Sequence, residues 1–211
     1  MTRDPMDYGW WLASRASGIV ALALITLSVG VGLAMAGKAF RRPGLPRKLM
    51  ALHEHAALGG LIAIAVHGIT LLGDRWLDPG PAGIAVPFVM GYRPVYTGVG
   101  IVGGYLAAAL GLSFYARKRI GAKLWRKLHR ATIAVYLLAV VHTLGAGTDA
   151  STPWLRWWLY LTAPVIAVLL AIRMTEPWRR KRRAAARPRP AVPPAPAQRR
   201  LPPRPQTETA S

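Results

Sequence analysis

Residues 49–73 read LMALHEHAALGGLIAIAVHGITLLG, an apolar stretch with a histidine near each end, at His53 and His67. Residues 124–146, LWRKLHRATIAVYLLAVVHTLGA, repeat this arrangement with His129 and His142. Each stretch exceeds the roughly 20 residues that a helix needs to cross the hydrocarbon of a bilayer. Histidine is costly in hydrocarbon and usually marks a functional site with a partner. The two stretches therefore predict membrane helices that carry four functional histidines at two matched depths.

The composition is typical of a polytopic membrane protein. Hydrophobic residues make up 53% of the 211 residues, yet 28 Lys and Arg stand against 8 Asp and Glu. The basic residues lie between apolar runs and in the C-terminal tail, which disfavours a nucleic-acid partner despite the high net charge. Cysteine is absent, which excludes Cys-ligated iron–sulfur clusters, covalent c-type haem attachment and disulfides within the chain.

Five apolar runs predict an all-α, polytopic membrane helix bundle with five transmembrane helices. The runs are residues 16–37, 50–73, 95–116, 124–146 and 153–172. The intervening segment 74–96 is rich in Pro, Gly and aromatic residues, and we expect it to fold back over the outer face. Ala34-Met35-Ala36 resembles a signal-peptidase site, but the long apolar run before it and the basic loop after it favour a retained helix.

Loop charge predicts how the bundle is oriented in the cell membrane. Basic residues concentrate after the first, third and fifth runs, whereas the other two loops hold Asp74, Asp78 and Asp149. The positive-inside rule then places the N-terminus outside and the C-terminus in the cytoplasm. Residues 1–183 are predicted to form the bundle. Residues 184–211, rich in Pro and Arg, are predicted to be a disordered cytoplasmic tail near membrane lipid, with a proline-rich docking segment as the alternative.

This topology pairs the four histidines by depth. Both histidine helices run from the cytoplasm to the exterior, so His53 should meet His129 near the inner surface and His67 should meet His142 near the outer surface. The two pairs are about 20 Å apart along a helix. Two histidines at each depth are the number that axial ligation of two stacked haems requires.

The spacing of the second pair predicts a local irregularity. Fourteen residues leave His53 and His67 on one face, but thirteen residues leave His129 and His142 about 140° apart on an ideal helix. We therefore expect distortion, tilt or rotamer adjustment in the second histidine helix. His55 lies about 200° around the helix from His53, and we expect it to be an interface or proton-handling residue.

Other residues near the histidines suit a large anionic cofactor. Small residues of the first histidine helix allow close approach, and Gly100 and Gly104 form a small-xxx-small pattern for which helix packing is the favoured role. Basic residues are candidate contacts for haem propionates, with ordinary topology-setting charge as the alternative role. They are Arg42, Arg47, Lys48, Arg126, Lys127 and Arg130 at the inner pair and Arg93 at the outer pair.

The segments LHEHAALGGLIAIAVHG (residues 52–68) and KLHRATIAVYLLAVVHTLGAGTD (residues 127–149) resemble the ferric reductase-like transmembrane domain. That superfamily includes ferric reductases, the membrane part of NADPH oxidases and the haem-binding membrane subunit of the bacterial methionine-sulfoxide reductase system. The resemblance covers about residues 12–173. It implies that His53, His67, His129 and His142 are the axial ligands of iron in two b-type haems.

The chain departs from many members of that superfamily in two ways. Many have six spans, whereas five are predicted here. Many also continue into a FAD- and NAD(P)H-binding domain, whereas no Gly-rich nucleotide motif is present here. We therefore expect a separate electron donor, either a flavoprotein reductase or a membrane quinol.

The leading hypothesis is transmembrane electron transfer through two stacked b-type haems, from the cytoplasmic face or the quinone pool to an acceptor at the outer face. The protein would then be a component of an oxidoreductase, and no residue is assigned a catalytic role. The alternative is a quinol-linked cytochrome b that anchors a separate oxidoreductase subunit. A metal-ion transporter is a third hypothesis, which the lack of acidic residues in the middle of the spans disfavours.

Overall fold

A computed structural model describes residues 5–37 and 44–185, and every regular element in these residues is helical. The helices are α1 (Pro5–Ala36), α2 (Leu45–Leu71), α3 (Gly80–Ala85), α4 (Pro94–Ile120), α5 (Ala122–His129), α6 (Thr132–Ala146) and α7 (Pro153–Ala185). Five segments are long and apolar enough to cross a membrane: Tyr8–Ala36, Leu45–Leu71, Pro94–Ile120, Ala122–Ala146 and Pro153–Glu176. The prediction of an all-α bundle with five spans is confirmed.

Helix α1 is longer than its apolar run. It begins at Pro5, whereas the apolar run begins near residue 16, and it includes Trp10 and Trp11 in its first turns. Tryptophan favours the boundary between lipid and water. The helix therefore continues past the hydrocarbon into the interfacial layer.

The segment between α2 and α4 does not span, as predicted. It contains the short helix α3, and the Tyr105 hydroxyl of α4 donates a hydrogen bond of 2.5 Å to the Ala85 carbonyl at the end of α3. α4 then begins at Pro94, which suits a first helical position because proline lacks the N–H that would go unpaired there. The segment is thereby held against α4.

The fourth span is interrupted close to one of its histidines. α5 ends at His129, and Arg130 and Ala131 adopt turn conformation before α6 begins at Thr132. The Thr132 hydroxyl donates to the His129 carbonyl at 2.8 Å, which gives that carbonyl a partner outside the regular helical ladder. This interruption lies between His129 and His142 and is a local distortion, one of the irregularities that the thirteen-residue spacing predicts.

The backbones of the two histidine-bearing segments do not pack closely against each other. α1 packs closely along α2, and α4 along α6, whereas α2 and α6 make few close backbone contacts with each other. Small apolar clusters join α1, α4, α6 and α7. The clusters are Leu22 with Leu155 and Leu159, Leu33 with Tyr136 and Ile166, and Ala107 with Leu110 and Val135. The compact unit formed by the bundle ends at Glu176.

Some of the predictions concern residues that the structure does not describe. The predicted tail lies outside the described residues from position 186 onward, and Arg42 also lies outside them. The domain boundary after Arg183 stays a prediction.

Candidate functional site

The structure brings the four histidines of the two stretches together in two pairs. The ring centroids of His53 and His129 are 5.9 Å apart with their planes at 89°. Those of His67 and His142 are 6.2 Å apart with their planes at 74°. All four side chains are half-buried. Because each pair joins α2 to the α5–α6 segment at one depth, the two segments run in the same direction.

The distance within each pair suits two ligands on opposite sides of one metal atom. Metal–nitrogen bonds of about 2 Å on both sides place the two imidazole centroids about 6 Å apart. Two imidazoles do not complete the shell of a bare metal ion, and no group of three or more His, Cys, Asp or Glu in the described residues could hold one. A haem requires only axial ligands from the protein because its porphyrin supplies four nitrogens. The donor sets therefore fit haem.

Hydrogen bonds identify which ring nitrogen is available in three of the four histidines. The Nδ1 of His53 donates to the Ser28 carbonyl at 2.8 Å, and that of His67 donates to the Ser14 carbonyl at 2.8 Å. The Nδ1 of His142 donates to the Tyr96 carbonyl at 2.9 Å. A carbonyl oxygen only accepts, so the proton is on Nδ1 and the lone pair is on Nε2. Histidines that ligate metals donate their other ring N–H in this manner, which fixes the tautomer and the ring orientation.

His129 differs from the other three histidines. Its Nδ1 is buried and has no hydrogen-bond partner in the described part of the chain. Trp125, one turn earlier on α5, stacks on the imidazole with centroids 5.0 Å apart and planes at 22°. The Trp125 Nε1 is also buried without a partner in that part of the chain. Buried polar groups normally have partners, so these two atoms indicate an acceptor such as a propionate or an ordered water.

Glycines allow neighbouring helices to approach the imidazole rings closely. A Cβ atom on Gly100 of α4 would overlap the His142 ring, at 2.7 Å from Cε1 and closer to Nδ1. Gly104, one turn further on, faces Ile64 of α2, and a Cβ there would lie at an ordinary contact distance of 3.4 Å. Gly104 therefore has an ordinary helix-packing role, whereas Gly100 makes room for a histidine of the site.

The candidate propionate contacts lie at the two ends of the histidine segments. At the end nearer His53 and His129, Arg47 is in the first turn of α2, while Arg126 and Arg130 lie in α5 and immediately after it, and all three are exposed. At the end nearer His67 and His142, Arg93 precedes α4 and donates from Nη1 to the Gly145 carbonyl at 2.5 Å. Arg93 also lines an open surface depression of about 260 Å³ together with Tyr96 and Gly145. Arg93 thus lies beside the pair formed by His67 and His142.

Sequence reasoning missed three features around the site. Trp125 could have been found from its spacing of four residues from His129 on a short helix rich in basic residues. Arg173 of α7 is half-buried and within electrostatic range of both His129 and Arg130, which no local pattern signals. The third feature is the set of carbonyl acceptors on α1 and α4.

His55 is exposed, and its Nδ1 donates to the Ala51 carbonyl at 2.6 Å within its own helix.

An ion pair with a buried carboxylate and a partly exposed guanidinium ties α1 to the loop before α7. Arg15 donates from Nε to the Asp149 carboxylate at 2.7 Å, and its Nη2 contacts the other carboxylate oxygen. Trp11 lies under the guanidinium, 5.1 Å from its central carbon. Ser14 immediately precedes Arg15 on α1. The ion pair therefore anchors the part of α1 whose carbonyl accepts the hydrogen bond from His67.

The sequence resemblance is confirmed, because the chain belongs to the ferric reductase like transmembrane component family, whose model matches residues 17–140. It is accordingly a multi-pass membrane protein. The match includes His53, His67 and His129 and ends just before His142.

Among curated proteins, the chain is 34% identical over 133 residues to the protein-methionine-sulfoxide reductase heme-binding subunit MsrQ of Bordetella pertussis strain Tohama I. Proteins of the same name from Bordetella parapertussis strain 12822 and Bordetella bronchiseptica strain RB50 have the same identity over the same length. The alignments cover 61% of this chain and 60% of each relative, so the chain spans about 60% of the length of the curated relatives that it matches. No solved structure matches.

Proposed function

We propose that the chain is a membrane electron-transfer subunit that binds two b-type haems. His53 and His129 would ligate one near the cytoplasmic surface, and His67 and His142 would ligate the other near the outer surface. The observation that carries the proposal is the presence of two imidazole pairs, at 5.9 Å and 6.2 Å, each joining the same two helical segments. When bound, haem supplies a one-electron couple of ferric and ferrous iron.

The protein's own residues hold and orient the groups at each site. The Nδ1 hydrogen bonds of His53, His67 and His142 leave Nε2 as the coordinating nitrogen. Arg47, Arg126 and Arg130 are proposed contacts for inner propionates, and Arg93 is the proposed contact for an outer propionate. Each proposed site takes one histidine from α2 and one from the α5–α6 segment, so neither segment could retain a haem by itself.

The depth of the pairs supports transfer across the membrane. The fourteen residues from His53 to His67 rise about 20 Å, against a hydrocarbon thickness of about 30 Å. Each pair would therefore lie a few ångströms inside its own surface. With the basic loops in the cytoplasm of a cell-membrane protein, the inner pair is accessible to a cytoplasmic or quinol donor and the outer pair to an acceptor outside.

We further propose that the donor and the acceptor are separate molecules. The curated relatives are named as haem-binding subunits of a methionine-sulfoxide reductase, which supports a partner that carries the catalytic site. The donor would be a flavoprotein reductase or a membrane quinol. The quinol-linked anchor is the second candidate function, and the word subunit in the relatives' name favours it equally.

A metal-ion transporter is the weakest of the three hypotheses. A transport site for a bare cation would gather several side-chain ligands, and the described residues contain no such group of three. The histidines are instead distributed as two per site.

An optical spectrum with a pyridine-haemochrome assay tests the proposed function. Purified protein should contain about two b-type haems per chain, both low-spin, because each site has two histidine ligands. His55→Ala is the matched control, since it removes a histidine of α2 that belongs to neither pair, and its spectrum should equal that of the wild type. A protein that holds zinc or copper and no haem would refute the proposal.

A further inference from the structure

We infer that α1 positions the two histidines of α2 through a duplicated Ser-x-x-x-Gly motif. The outer Ser–Gly pair is Ser14 with Gly18, and it contacts His67. The inner Ser–Gly pair is Ser28 with Gly32, and it contacts His53. The inference rests on the proposed haem function and adds a positioning role for a helix that carries no histidine.

The serine of each pair provides the hydrogen-bond acceptor for Nδ1. The carbonyl oxygens of Ser14 and Ser28 both lie 2.8 Å from the Nδ1 of their histidine. The serine hydroxyls are also close to the same nitrogens, at 3.2 Å for His67 and 3.0 Å for His53. Both serines are buried, so water does not compete for these contacts.

The glycine of each pair gives the imidazole ring room against α1. A Cβ on Gly18 would lie 3.1 Å from Nδ1 of His67, and a Cβ on Gly32 would lie 3.2 Å from Cε1 of His53. Residues four apart on a helix share a face, so the serine and the glycine contact one ring together. The ring is thus held at its nitrogen and along its side.

The two Ser–Gly pairs have the same separation as the histidines that they contact. Ser14 and Ser28 are fourteen residues apart, as are His53 and His67. α1 runs antiparallel to α2, so the first pair on α1 meets the second histidine on α2. Because fourteen residues are close to four helical turns, both pairs lie on nearly one face of α1. The repeat therefore matches the histidines in spacing and in direction.

These contacts act on the ligands rather than on the haem directly. A hydrogen bond from Nδ1 to a carbonyl fixes the ring orientation and makes the imidazole a stronger donor to iron. In the outer site, both histidines have such a bond, to Ser14 and Tyr96. In the inner site, His129 has none within the described residues, so that site depends on the bond from His53 alone. Disturbing the inner Ser–Gly pair should therefore have the larger effect.

The test compares Gly18→Ala and Gly32→Ala in the full-length, haem-loaded protein by redox titration with electron paramagnetic resonance. Gly18→Ala should shift the midpoint potential and the g values of the outer centre only, and Gly32→Ala those of the inner centre only. Haem dissociation from the affected centre should be roughly 10- to 100-fold faster, as for other changes next to metal ligands. His67→Ala identifies the outer signal by its loss.

Gly68→Ala is the matched control. Gly68 is next to His67 on α2, but a Cβ there would meet nothing within 4 Å. Both centres should remain at wild-type values in this variant. Ser14→Ala and Ser28→Ala add no bulk and keep the carbonyl acceptor, so each should retain both haems with a smaller shift at its own centre.

Ordinary helix packing gives a different result, because small residues also bring helices together without touching a ligand. If Gly18→Ala and Gly32→Ala lowered thermal stability while potentials and g values stayed unchanged, or moved both centres equally, the positioning role would be wrong. A wild-type protein without two low-spin haems would instead refute the proposed function and this inference with it.

Discussion

Gly100→Ala should damage the outer histidine pair selectively. The added Cβ would lie 2.7 Å from Cε1 of His142, and ordinary Cβ contacts begin at 3.4 Å, so the ring would have to move by about 0.7 Å at that atom (3.4 − 2.7). The movement would strain the 2.9 Å hydrogen bond from Nδ1 to the Tyr96 carbonyl. Overpacking of this kind costs roughly 1–3 kcal/mol. If the cost falls on the bound state, haem affinity at the outer site falls about 5- to 150-fold.

The assay is haem content and redox titration of Gly100→Ala beside Gly104→Ala. The control substitution lies one turn further along α4, where the new Cβ would make an ordinary contact with Ile64. We expect Gly100→Ala to lose or shift the outer centre and keep the inner one, while Gly104→Ala keeps both. If the two variants behaved alike, or if Gly100→Ala lost the inner centre, the contact between α4 and His142 would not have the role described.

Arg15→Ala should lower the free energy of unfolding by about 3 kcal/mol, because it leaves the Asp149 carboxylate unpaired at 8% exposure. Asp149→Ala should lower it by about 1 kcal/mol, because the Arg15 guanidinium that it leaves unpaired is 36% exposed. Thermal unfolding in detergent measures both, and a larger loss in Asp149→Ala would contradict this order. A chain that ends at Arg183 should keep the reduced-minus-oxidised spectrum, because residues 184–211 are rich in proline and contain no aromatic side chain to pack against the bundle. Loss of haem from a truncated chain that still inserts into the membrane would refute that expectation.

Local patterns in the sequence were sufficient to predict the five spans and the partners of the histidines. The length of each apolar run sets the spans. The alternation of basic and base-poor loops predicts parallel histidine helices, which is the arrangement that brings His53 to His129 and His67 to His142. The thirteen-residue spacing also signalled an irregularity, since an ideal helix would separate His129 and His142 by about 140°.

The position of that irregularity could not be read from the sequence. The interruption falls at Arg130 and Ala131, and neither residue is a helix breaker of the kind that Gly or Pro provides. Thr132 contributes through a hydroxyl bond to the His129 carbonyl, but threonine occurs often inside membrane helices without ending them. Tertiary contacts therefore decide where the fourth span breaks.

The groups that hold the imidazoles could not be predicted from the sequence either, for a related reason. Backbone carbonyls have no sequence signature, so the acceptors at Ser14, Ser28 and Tyr96 appear only when neighbouring helices are placed. Gly100 and Gly104 belong to one small-xxx-small pattern, yet one faces a histidine and the other an isoleucine. The rotation of α4 about its axis determines that difference.

The most direct test of the central claim is a redox titration of single His→Ala variants that counts low-spin haem centres. His53→Ala and His129→Ala should lose the same centre, His67→Ala and His142→Ala should lose the other, and His55→Ala should keep both. This result follows from two sites that each take one ligand from α2 and one from the α5–α6 segment. If His53→Ala and His142→Ala lost the same centre, or if His55→Ala removed a haem that His53→Ala retained, the proposed pairing would be wrong.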